Sequence, residues 1–384
     1  MECSSHHFDA IVVGAGIMGS STAYQLAKRG QKTLLLEQFD FLHHRGSSHG
    51  ESRTIRATYP EDYYCDMVME SLQMWEQAQS EAGYKVYFKA QQFDMSPSDN
   101  KSLRSVISSC EKNSIPYRVL DRQQVSDRFS GMINIPEDWF GVLTDVGGVI
   151  KPTKAVSMFQ ALAFQRGAVL RDNMEVKSVV KDEVRGGVNV ETANGEKFWG
   201  KKCVITAGAW ARKLVKTVAG LELPIQALET TVCYWRIKEG KEAKFAIGSD
   251  FPTFASYGEP YVYGTPSLEF PGLIKIAVHG GYPCDPDKRP WGLGTSLDSL
   301  KEWIQGRFSG LVDDGGPEVV IGGGFSGHGF KMAPVVGRVL ADLVLGGEAK
   351  GVELKYFRIR RFQENPGGNV KDYEDQVNSF SNHK

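Results

Sequence analysis

The sequence predicts an α/β protein in which a Rossmann-type nucleotide-binding domain is interleaved with a domain built on an antiparallel sheet. Residues 8–37 combine a buried strand, a glycine-rich turn, a helix and a second strand that ends on an acid. Residues 223–278 instead contain short, aromatic-rich strands with no helical pattern between them. A second glycine-rich strand–loop–helix unit, at residues 318–345, returns the chain to the first domain.

The first unit begins with the apolar run at residues 10–13, which predicts a strand buried on both faces. Gly14, Gly16 and Gly19 follow in the G-x-G-x-x-G pattern and open a helix. The first glycine permits a tight turn, the second lets a pyrophosphate approach, and the third allows close helix–strand packing. Glu37 ends the next strand, where a carboxylate can hydrogen-bond both ribose hydroxyls and disfavour NADP. The unit therefore predicts a dinucleotide site.

The composition excludes several classes of partner. The 384 residues include 45 basic and 46 acidic side chains, for a net charge of −1, so neither nucleic acid nor a membrane surface is predicted to bind. No apolar run approaches the ~20 residues that a membrane span needs. The six cysteines form no C-x-x-C pair, which favours reduced thiols in an intracellular protein and predicts no metal site.

A loop of small residues follows the first unit and ends on two arginines. Ser47 lies in its Ser/Gly run, which can supply further phosphate contacts. Arg53 and Arg56 are three residues apart, a spacing that would place both on one face of the first turn of a helix. The alternative is a solvated loop with two surface arginines.

Periodicity, caps and turns predict the elements that come next. Helices are expected at residues 61–81, 101–113, 122–129 and 153–166, and a strand at 86–95. Residues 169–172, 175–182, 187–192 and 197–201 alternate with turns and predict a small antiparallel meander. A buried strand from Cys203 then ends in the small residues Ala207 and Gly208, which allow either a close ligand or tight helix–sheet packing.

The second sheet is expected from strands at residues 230–237, 253–257, 261–264 and 273–278, whose inward face forms a pocket wall. A helix at 293–308, a strand at 318–321 and a helix at 334–345 follow. We therefore assign residues 1–84, 149–222 and 318–361 to the nucleotide-binding domain and 85–148 and 223–317 to the substrate domain. The polar tail, residues 362–384, is predicted to be disordered.

Four motifs resemble the D-amino-acid-oxidase-type FAD-dependent amine oxidases, and within them the monomeric sarcosine oxidase and pipecolate oxidase branch. The motifs are VVGAGIMGSSTAYQLAKRG, GSSHGESRTIR, ITAGAW and GGGFSGHGFK, and the resemblance extends over residues 8–361. It implies an FAD-binding domain joined to a substrate domain, with FAD as cofactor. It also implies a monomer that acts on a small amino-acid substrate, a secondary amine bearing a carboxylate, with O2 as electron acceptor.

The resemblance assigns roles to residues by their position in these motifs. Arg56 and Lys331 match the pair that holds the substrate carboxylate, and two cations beside glycine-rich turns make a physical clamp for one. Arg53 matches the arginine beside the flavin ring, and Ser52 replaces the threonine of bacterial members. The residues expected to bind FAD are Gly14, Ala15, Gly16, Ile17, Met18, Gly19, Glu37, Ser47, Arg53, Val176, Ala207, Gly208, Gly327, Gly329 and Lys331.

Three further residues match the catalytic pocket of the family. Lys275 matches the lysine under flavin N5, where oxygen is reduced, and His279 and Tyr263 match residues near the substrate amine. Lys275 and His279 are four residues apart in an expected strand, which places them on one face. Without the resemblance, both would be interpreted as surface or structural residues.

The chain departs from the family before the second glycine-rich unit. The family has a strand-and-loop segment there that contains the cysteine bonded covalently to FAD. Here residues 310–317 run almost directly into Glu318, and no cysteine occupies the position. We therefore expect FAD to be held noncovalently, in a chain that is a splice variant or an erroneous gene model with impaired activity.

The resemblance implies oxidation of sarcosine, another N-methyl amino acid or L-pipecolate, with H2O2 as a product. Three alternatives stay open: a flavin dehydrogenase with a protein electron acceptor, an NAD-dependent dehydrogenase, and a noncatalytic flavin-binding protein. The compartment is also open, because peroxide chemistry favours the peroxisome whereas the C-terminal Asn382-His383-Lys384 lacks a Ser-Lys-Leu signal, leaving the cytoplasm.

Overall fold

The computed structural model describes residues 6–268, 270–288, 297–311, 319–322 and 330–357. The strands, numbered along the chain, are β1 (His7–Val13), β2 (Thr33–Leu36), β3 (Arg53–Arg56), β4 (Tyr87–Lys89), β5 (Gln92–Pro97), β6 (Arg118–Leu120), β7 (Trp139–Thr144), β8 (Gly147–Ile150), β9 (Val169–Arg171), β10 (Val176–Lys181), β11 (Val188–Thr192), β12 (Lys197–Ile205), β13 (Leu228–Glu229), β14 (Thr231–Arg236), β15 (Thr253–Ser256), β16 (Val262–Thr265), β17 (Leu273–Val278), β18 (Tyr282–Pro283) and β19 (Val319–Gly322).

The helices, also numbered along the chain, are α1 (Ile17–Lys28), α2 (Tyr63–Ala82), α3 (Lys101–Lys112), α4 (Arg122–Arg128), α5 (Pro152–Gln165), α6 (Ala211–Ala219), α7 (Glu242–Phe245), α8 (Leu297–Gln305) and α9 (Ala333–Gly346). Short 3-10 helices occupy Gly208–Trp210, Phe330–Met332 and Leu354–Tyr356. In the part of the chain that the structure describes, no helix combines the length and the apolar character that crossing a membrane requires.

A six-stranded sheet in the order β10-β11-β12-β1-β2-β9 forms the first body. β1 lies parallel to both β12 and β2, and Val12 pairs with Val204 on one side and Leu35 on the other. Ala10 and Val12 pack under α1 in one core cluster, whereas Ile11 and Val13 pack with Phe198 on the opposite face. β1 is therefore buried on both faces, as the apolar run predicts.

An eight-stranded sheet in the order β19-β14-β17-β16-β15-β5-β7-β6 forms the second body. Its pairs are antiparallel except that β15 lies parallel to β5. Its core is aromatic, and the buried rings of Phe93, Phe254, Trp303 and Phe308 belong to one cluster. Because β5 to β7 come before the last strands of the first sheet and β14 after them, the two bodies are interleaved along the chain, and the predicted fold class is confirmed.

The helical interpretation of the two arginines is wrong. Arg53–Arg56 is strand β3, which pairs antiparallel with β8 so that Ile55 lies opposite Gly148. The β-branched Thr54 and Ile55 between the arginines favour an extended backbone. Together with β4, these strands form a three-stranded sheet in the order β3-β8-β4.

Three other predicted segments pair differently from expectation. The expected strand at 86–95 is two strands, since β4 joins the three-stranded sheet and β5 the eight-stranded sheet. β9 is not part of the meander but lies parallel to β2 at the far edge of the six-stranded sheet. In addition, the strand expected at 197–201 and the one expected from Cys203 are a single strand, β12, from Lys197 to Ile205. β19 pairs with β14 instead of the six-stranded sheet. Period and length do not encode such partners, which depend on the distant strand.

The division into two domains stays a proposal. β10 to β12 share the sheet of β1, and β14 to β17 share the sheet of β5. The pairing of β19 places its four residues with the second body, although the proposal groups them with the first. The predicted tail at 362–384 lies outside the described residues.

Candidate active site

The glycine-rich turn between β1 and α1 has the close contacts that its sequence predicts. Gly14 has a φ of +98°, in the region that favours glycine. A Cβ atom at Gly19 would lie 1.8 Å from the carbonyl oxygen of Gly14, so α1 packs directly on the turn. Among the described residues, a Cβ atom at Gly16 would come within 4 Å of the Ser48 side chain alone, with Oγ 3.0 Å away, and Gly16 borders the cavity described below. The space in front of Gly16 is therefore open to a ligand.

Glu37 follows β2 and is held at this turn by backbone hydrogen bonds. Its Oε2 atom accepts from the Ala15 amide at 2.8 Å, and its Oε1 atom accepts from the Phe39 amide at 3.2 Å. The Nε2 atom of His43 lies 3.4 Å from Oε1. The carboxylate is nearly buried yet borders the cavity described below, so it is fixed where a ribose hydroxyl could donate to it.

Arg53 organises the loop that precedes β3. Its Nη2 atom donates to the carbonyl oxygens of Ser47 and His49, both at 2.8 Å, and its Nη1 atom donates to Ser52 O at 2.7 Å. Ser48 of the same loop accepts through Oγ from the Ile17 amide at 3.0 Å, on the first turn of α1. These hydrogen bonds hold the loop against the N-terminus of α1. Two guanidinium nitrogens of Arg53 take part in them.

One continuous cavity of about 1120 Å³ extends from the glycine-rich turn into the second body. Most of the residues predicted for the site line it: Gly14, Ala15, Gly16, Ile17, Met18, Glu37, Ser47, Arg53, Arg56, Val176, Ala207, Gly208, Tyr263, Lys275, His279 and Lys331. Gly19 does not, because it faces the turn beneath α1. Gly327 and Gly329 lie outside the described residues.

Arg56 is anchored through one edge of its guanidinium. Its Nη1 atom donates to Tyr257 Oη at 2.8 Å and to the Thr58 carbonyl oxygen, and lies 3.3 Å from Asp94 Oδ1. Its Nη2 atom has, among the described residues, only a 3.5 Å contact with Tyr261 Oη. The protein therefore fixes the Nη1 edge and leaves Nη2 with donor capacity for an oxygen of a ligand.

Lys331 lies beside the same aromatic ring as Arg56. Its backbone carbonyl oxygen accepts from Ser71 Oγ at 2.7 Å and from Trp75 Nε1 at 2.9 Å. Its Nζ atom is 5.4 Å from the centre of the Tyr59 ring, and the Arg56 guanidinium carbon is 4.7 Å from that centre. Burial, and then the charges of Arg56 and Lys275, hold the pKa of Lys331 well below its usual value. An anion bound beside Lys331 would oppose this shift and raise the pKa of Lys331.

Lys275 occupies the middle of β17 and borders the same cavity. Its Nζ atom donates to Ser52 O at 3.2 Å and lies 5.3 Å from the centre of the Tyr263 ring. Burial, followed by the charge of Arg53, holds the pKa of Lys275 well below its usual value. His279 follows β17, with its ring centre 4.8 Å from that of Tyr261. Lys275 and His279 do border one cavity, as their spacing predicts.

Sequence reasoning missed four residues of this site. Tyr59, Tyr257 and Tyr261 border the cavity around Arg56, and Asp94 lies buried behind that arginine. Tyr257 and Tyr261 belong to the aromatic-rich strands that predict a pocket wall without selecting individual residues, and no signal in the sequence points to Tyr59. Asp94 interrupts the otherwise uncharged strand β5, and a charge in a buried strand signals a buried partner.

The fold and the glycine-rich cavity define a dinucleotide-dependent enzyme, and comparison with known proteins gives its family. Residues 9–343 match the family described as FAD dependent oxidoreductase, DAO. The chain is 64% identical over 400 aligned residues, 96% of each chain, to a protein named "Probable sarcosine oxidase" from Arabidopsis thaliana. It is 32% identical to "Monomeric sarcosine oxidase" of Bacillus sp. (strain B-0618), covering 93% of this chain and 97% of the relative.

A solved structure shows the same fold. The open form of NikD, described as an unusual amino acid oxidase, superposes with a TM-score of 0.77 at 22% identity and covers 91% of this chain and 97% of its own. The chain therefore belongs to the FAD-dependent oxidoreductases and, by its relatives, to the sarcosine oxidase branch. The predicted family, enzyme class and cofactor are confirmed.

The residues present fit FAD. The cavity is larger than the roughly 300–1,000 Å³ of typical small-ligand pockets, as an elongated dinucleotide requires. The amides at the N-terminus of α1 and the open space at Gly16 suit a pyrophosphate. Glu37 suits the ribose, and the buried Lys275 and Lys331 and the partly buried Arg56 lie in the remaining part of the cavity.

Proposed function

We propose that the protein oxidises a secondary amino acid, such as sarcosine, another N-methyl amino acid or L-pipecolate, and passes the electrons to O2. The observation that supports this most directly is that Arg56 and Lys331 flank the Tyr59 ring within the cavity that begins at the glycine-rich turn. Two cations are the donors that a carboxylate prefers. The names of the relatives point to the same substrate class.

In this proposal Arg56 and Lys331 bind and orient the substrate carboxylate. Nη2 of Arg56 donates one hydrogen bond, and the ammonium of Lys331 supplies the second cation, so the C–H to be oxidised is held in a fixed direction. FAD, when bound, would supply the acceptor for two electrons and a hydrogen that no side chain provides.

The buried cations also act on the protonation of the substrate. The amine must lose its proton before oxidation, and positive charge nearby lowers the pKa of an amine. For Lys275 and Lys331, burial is the main cause of the lowered pKa, and nearby positive charge, from Arg53 for Lys275 and from Arg56 and Lys275 for Lys331, lowers it further. Tyr263 lies on β16 and His279 directly follows β17, and both border the cavity. We propose that they contact the substrate amine.

Lys275 is proposed to serve the second half of the reaction. Its ammonium is buried and fixed to Ser52 O at 3.2 Å. Negative charge that develops on oxygen beside it would favour the protonated form of Lys275, and that form would stabilise the developing charge. The expected products are H2O2 and an imine that hydrolyses in water, giving glycine and formaldehyde from sarcosine.

We propose that FAD is bound noncovalently. Among the described residues, no cysteine borders the cavity. Burial raises the pKa of Cys233 to about 11 and that of Cys203 to about 12, so neither thiol is a ready nucleophile. Because the 400 aligned residues exceed the 384 of this chain, part of the aligned length in the Arabidopsis relative has no counterpart here, which supports the proposed missing segment.

The protein is proposed to work as a monomer on a small substrate, without nucleic acid or membrane partners. Peroxide as a product favours the peroxisome over the cytoplasm.

The reaction is tested by adding sarcosine and, separately, L-pipecolate to the FAD-loaded protein in air. We expect one H2O2 for each O2 consumed, with catalase returning half of the oxygen. Substrate oxidation that needs an added electron acceptor and forms no H2O2 would identify a dehydrogenase and contradict the proposal.

A further inference from the structure

A buried carboxylate lies directly behind the carboxylate-binding arginine. Asp94 sits in the interior of β5 with 0% of its surface exposed, and its Oδ1 atom is 3.3 Å from Arg56 Nη1. The same oxygen accepts from Gln92 Nε2 at 2.9 Å, and Gln92 in turn accepts from Thr253 Oγ1 at 2.7 Å. The carboxylate is therefore held in place from β5 and β15, independently of any ligand.

Asp94 acts on the cavity without bordering it. Arg56 borders the cavity and Asp94 does not, so the arginine separates the carboxylate from any ligand. The second oxygen of Asp94, Oδ2, is buried and has no hydrogen-bond partner among the described residues. Arg56 is the cation in contact with Asp94 in that part of the chain. Burial raises the pKa of Asp94, and the charge of Arg56 opposes that rise, so Arg56 is the main group that favours the ionised form of Asp94.

The field of Asp94 reaches the cavity wall. Burial is the main cause of the raised pKa values of Tyr257 and Tyr261; the charge of Arg56 lowers both, and the negative charge of Asp94 opposes Arg56 by raising both. Both tyrosines border the cavity beside Arg56. A ligand carboxylate at Arg56 would experience the same negative charge, because the interior screens it weakly.

We propose that Asp94 is a specificity-determining residue that cancels the charge of Arg56 and so matches the site to a substrate with a single carboxylate. The inference rests on the proposed function of Arg56 and Lys331. Without Asp94, these residues would present two positive charges; with it, their net charge is one when Lys331 is protonated. A second carboxylate on the substrate would then add negative charge that the single net charge of Arg56, Lys331 and Asp94 does not offset, so amino acids with acidic side chains are disfavoured.

Acetate and malonate, which differ by one carboxylate, serve as probes. Their dissociation constants are measured on the FAD-loaded protein from the change in visible flavin absorbance, for the unchanged chain and for Asp94→Asn. The substitution keeps the shape and removes the charge. Unit charges about 10 Å apart at an effective dielectric constant of about 20 change affinity by roughly tenfold. We expect Asp94→Asn to raise the affinity for malonate relative to acetate by about that factor.

Tyr257→Phe is the matched control. It removes the hydroxyl that accepts from Arg56 at 2.8 Å but changes no charge. Both affinities should change by a similar factor, and the malonate-to-acetate ratio should stay within about twofold of the original. A ratio that rises equally in Tyr257→Phe would show that orientation of Arg56, not charge, is responsible, and would overturn the inference.

The remaining outcomes separate this inference from the proposed function. If neither anion perturbs the flavin or competes with sarcosine, the carboxylate clamp itself is wrong, and the inference is wrong with it. If acetate binds but Asp94→Asn leaves the ratio within twofold of the original, only the role of Asp94 is wrong. Should Asp94→Asn fail to fold, the unchanged protein still decides, because malonate binding tighter than acetate would contradict a clamp with one net charge.

Discussion

At the scale of single residues, burial lowers the pKa values of the two lysines in this site more than the neighbouring charges do. Lys275 and Lys331 are 3% and 6% exposed, and desolvation is the first cause of the fall in both pKa values. An anion that binds beside a buried amine of this kind favours its protonated form, and the weak screening of the interior makes this interaction stronger than at a surface lysine. The two lysines differ in position: Lys331 lies near Arg56 and Tyr59, and Lys275 lies near Ser52 and Tyr263.

The position of Lys331 predicts a defect in substrate binding. Lys331→Met removes one of two cations from the carboxylate, which costs about 1.5–3 kcal/mol. The dissociation constant for substrate, measured by anaerobic stopped-flow reduction, should therefore rise roughly ten- to hundredfold. Reoxidation of the reduced protein by O2 should change far less. Unaltered substrate binding in Lys331→Met would contradict the clamp.

The position of Lys275 predicts the opposite pattern. In Lys275→Met, anaerobic reduction by substrate should stay near normal, whereas reoxidation in air should slow about a hundredfold, because a unit charge near the reacting oxygen is lost. Lys331→Met serves as the control, since it removes a buried lysine from the same cavity. Equal slowing of both half-reactions in Lys275→Met would show that Lys275 does not act specifically in reoxidation by O2.

Among the elements, the glycine-rich turn was predictable in detail because its requirements are local. The tight turn, the close packing of α1 and the acid after β2 all follow from residues within one unit. The strand at Arg53–Arg56 was not predictable, because β3 depends on pairing with β8. The contact of Asp94 with Arg56 was not predictable either, because it depends on where the fold places β5 relative to β3. The same limit applies to β9, whose partner β2 lies more than 130 residues earlier in the sequence.

Two glycines of the turn should have separable effects. A Cβ atom at Gly16 projects towards the Ser48 hydroxyl and the ligand space, so Gly16→Ala should weaken FAD binding by roughly tenfold or more while the apoprotein keeps its melting temperature. Gly19→Ala places a Cβ atom 1.8 Å from Gly14 O, and overpacking of this kind costs about 1–3 kcal/mol or more of folding stability.

Calorimetry of the apoproteins and FAD titration by fluorescence quenching distinguish the two. The account requires the melting temperature to fall in Gly19→Ala and the FAD dissociation constant to rise in Gly16→Ala. A Gly16→Ala protein that binds FAD as tightly as the original would show that the cofactor does not approach the backbone at this turn.

At the scale of the whole molecule, the site exists only where the two bodies meet. The six-stranded sheet supplies the glycine-rich turn and Glu37, and the eight-stranded sheet supplies Tyr263 and Lys275, all of which border one cavity. In sequence, β3 to β8 separate the two halves of the first sheet, β1 and β2 from β9 to β12, so the chain leaves the first body and returns to it. The sequence pattern predicts both bodies, whereas their shared cavity follows only from the assembled structure.

The proposed loss of the flavin-linking segment has a direct consequence for the intact protein. Acid precipitation should release all of the yellow colour into the supernatant, because no covalent bond holds FAD. Absorbance spectra of the supernatant and the redissolved pellet measure this. Colour that stays with the pellet would mean that a cysteine of this chain is bonded to FAD after all.

The most direct test of the central claim, that one cavity holds FAD against a carboxylate-bound secondary amine, is anaerobic reduction. The FAD-loaded protein is mixed with sarcosine, and separately with L-pipecolate, in the absence of oxygen while the visible flavin absorbance is recorded. We predict that at least one substrate bleaches the flavin and that admitting air restores the colour with formation of H2O2. Bound FAD that keeps its full absorbance with both substrates at saturating concentration would contradict the account.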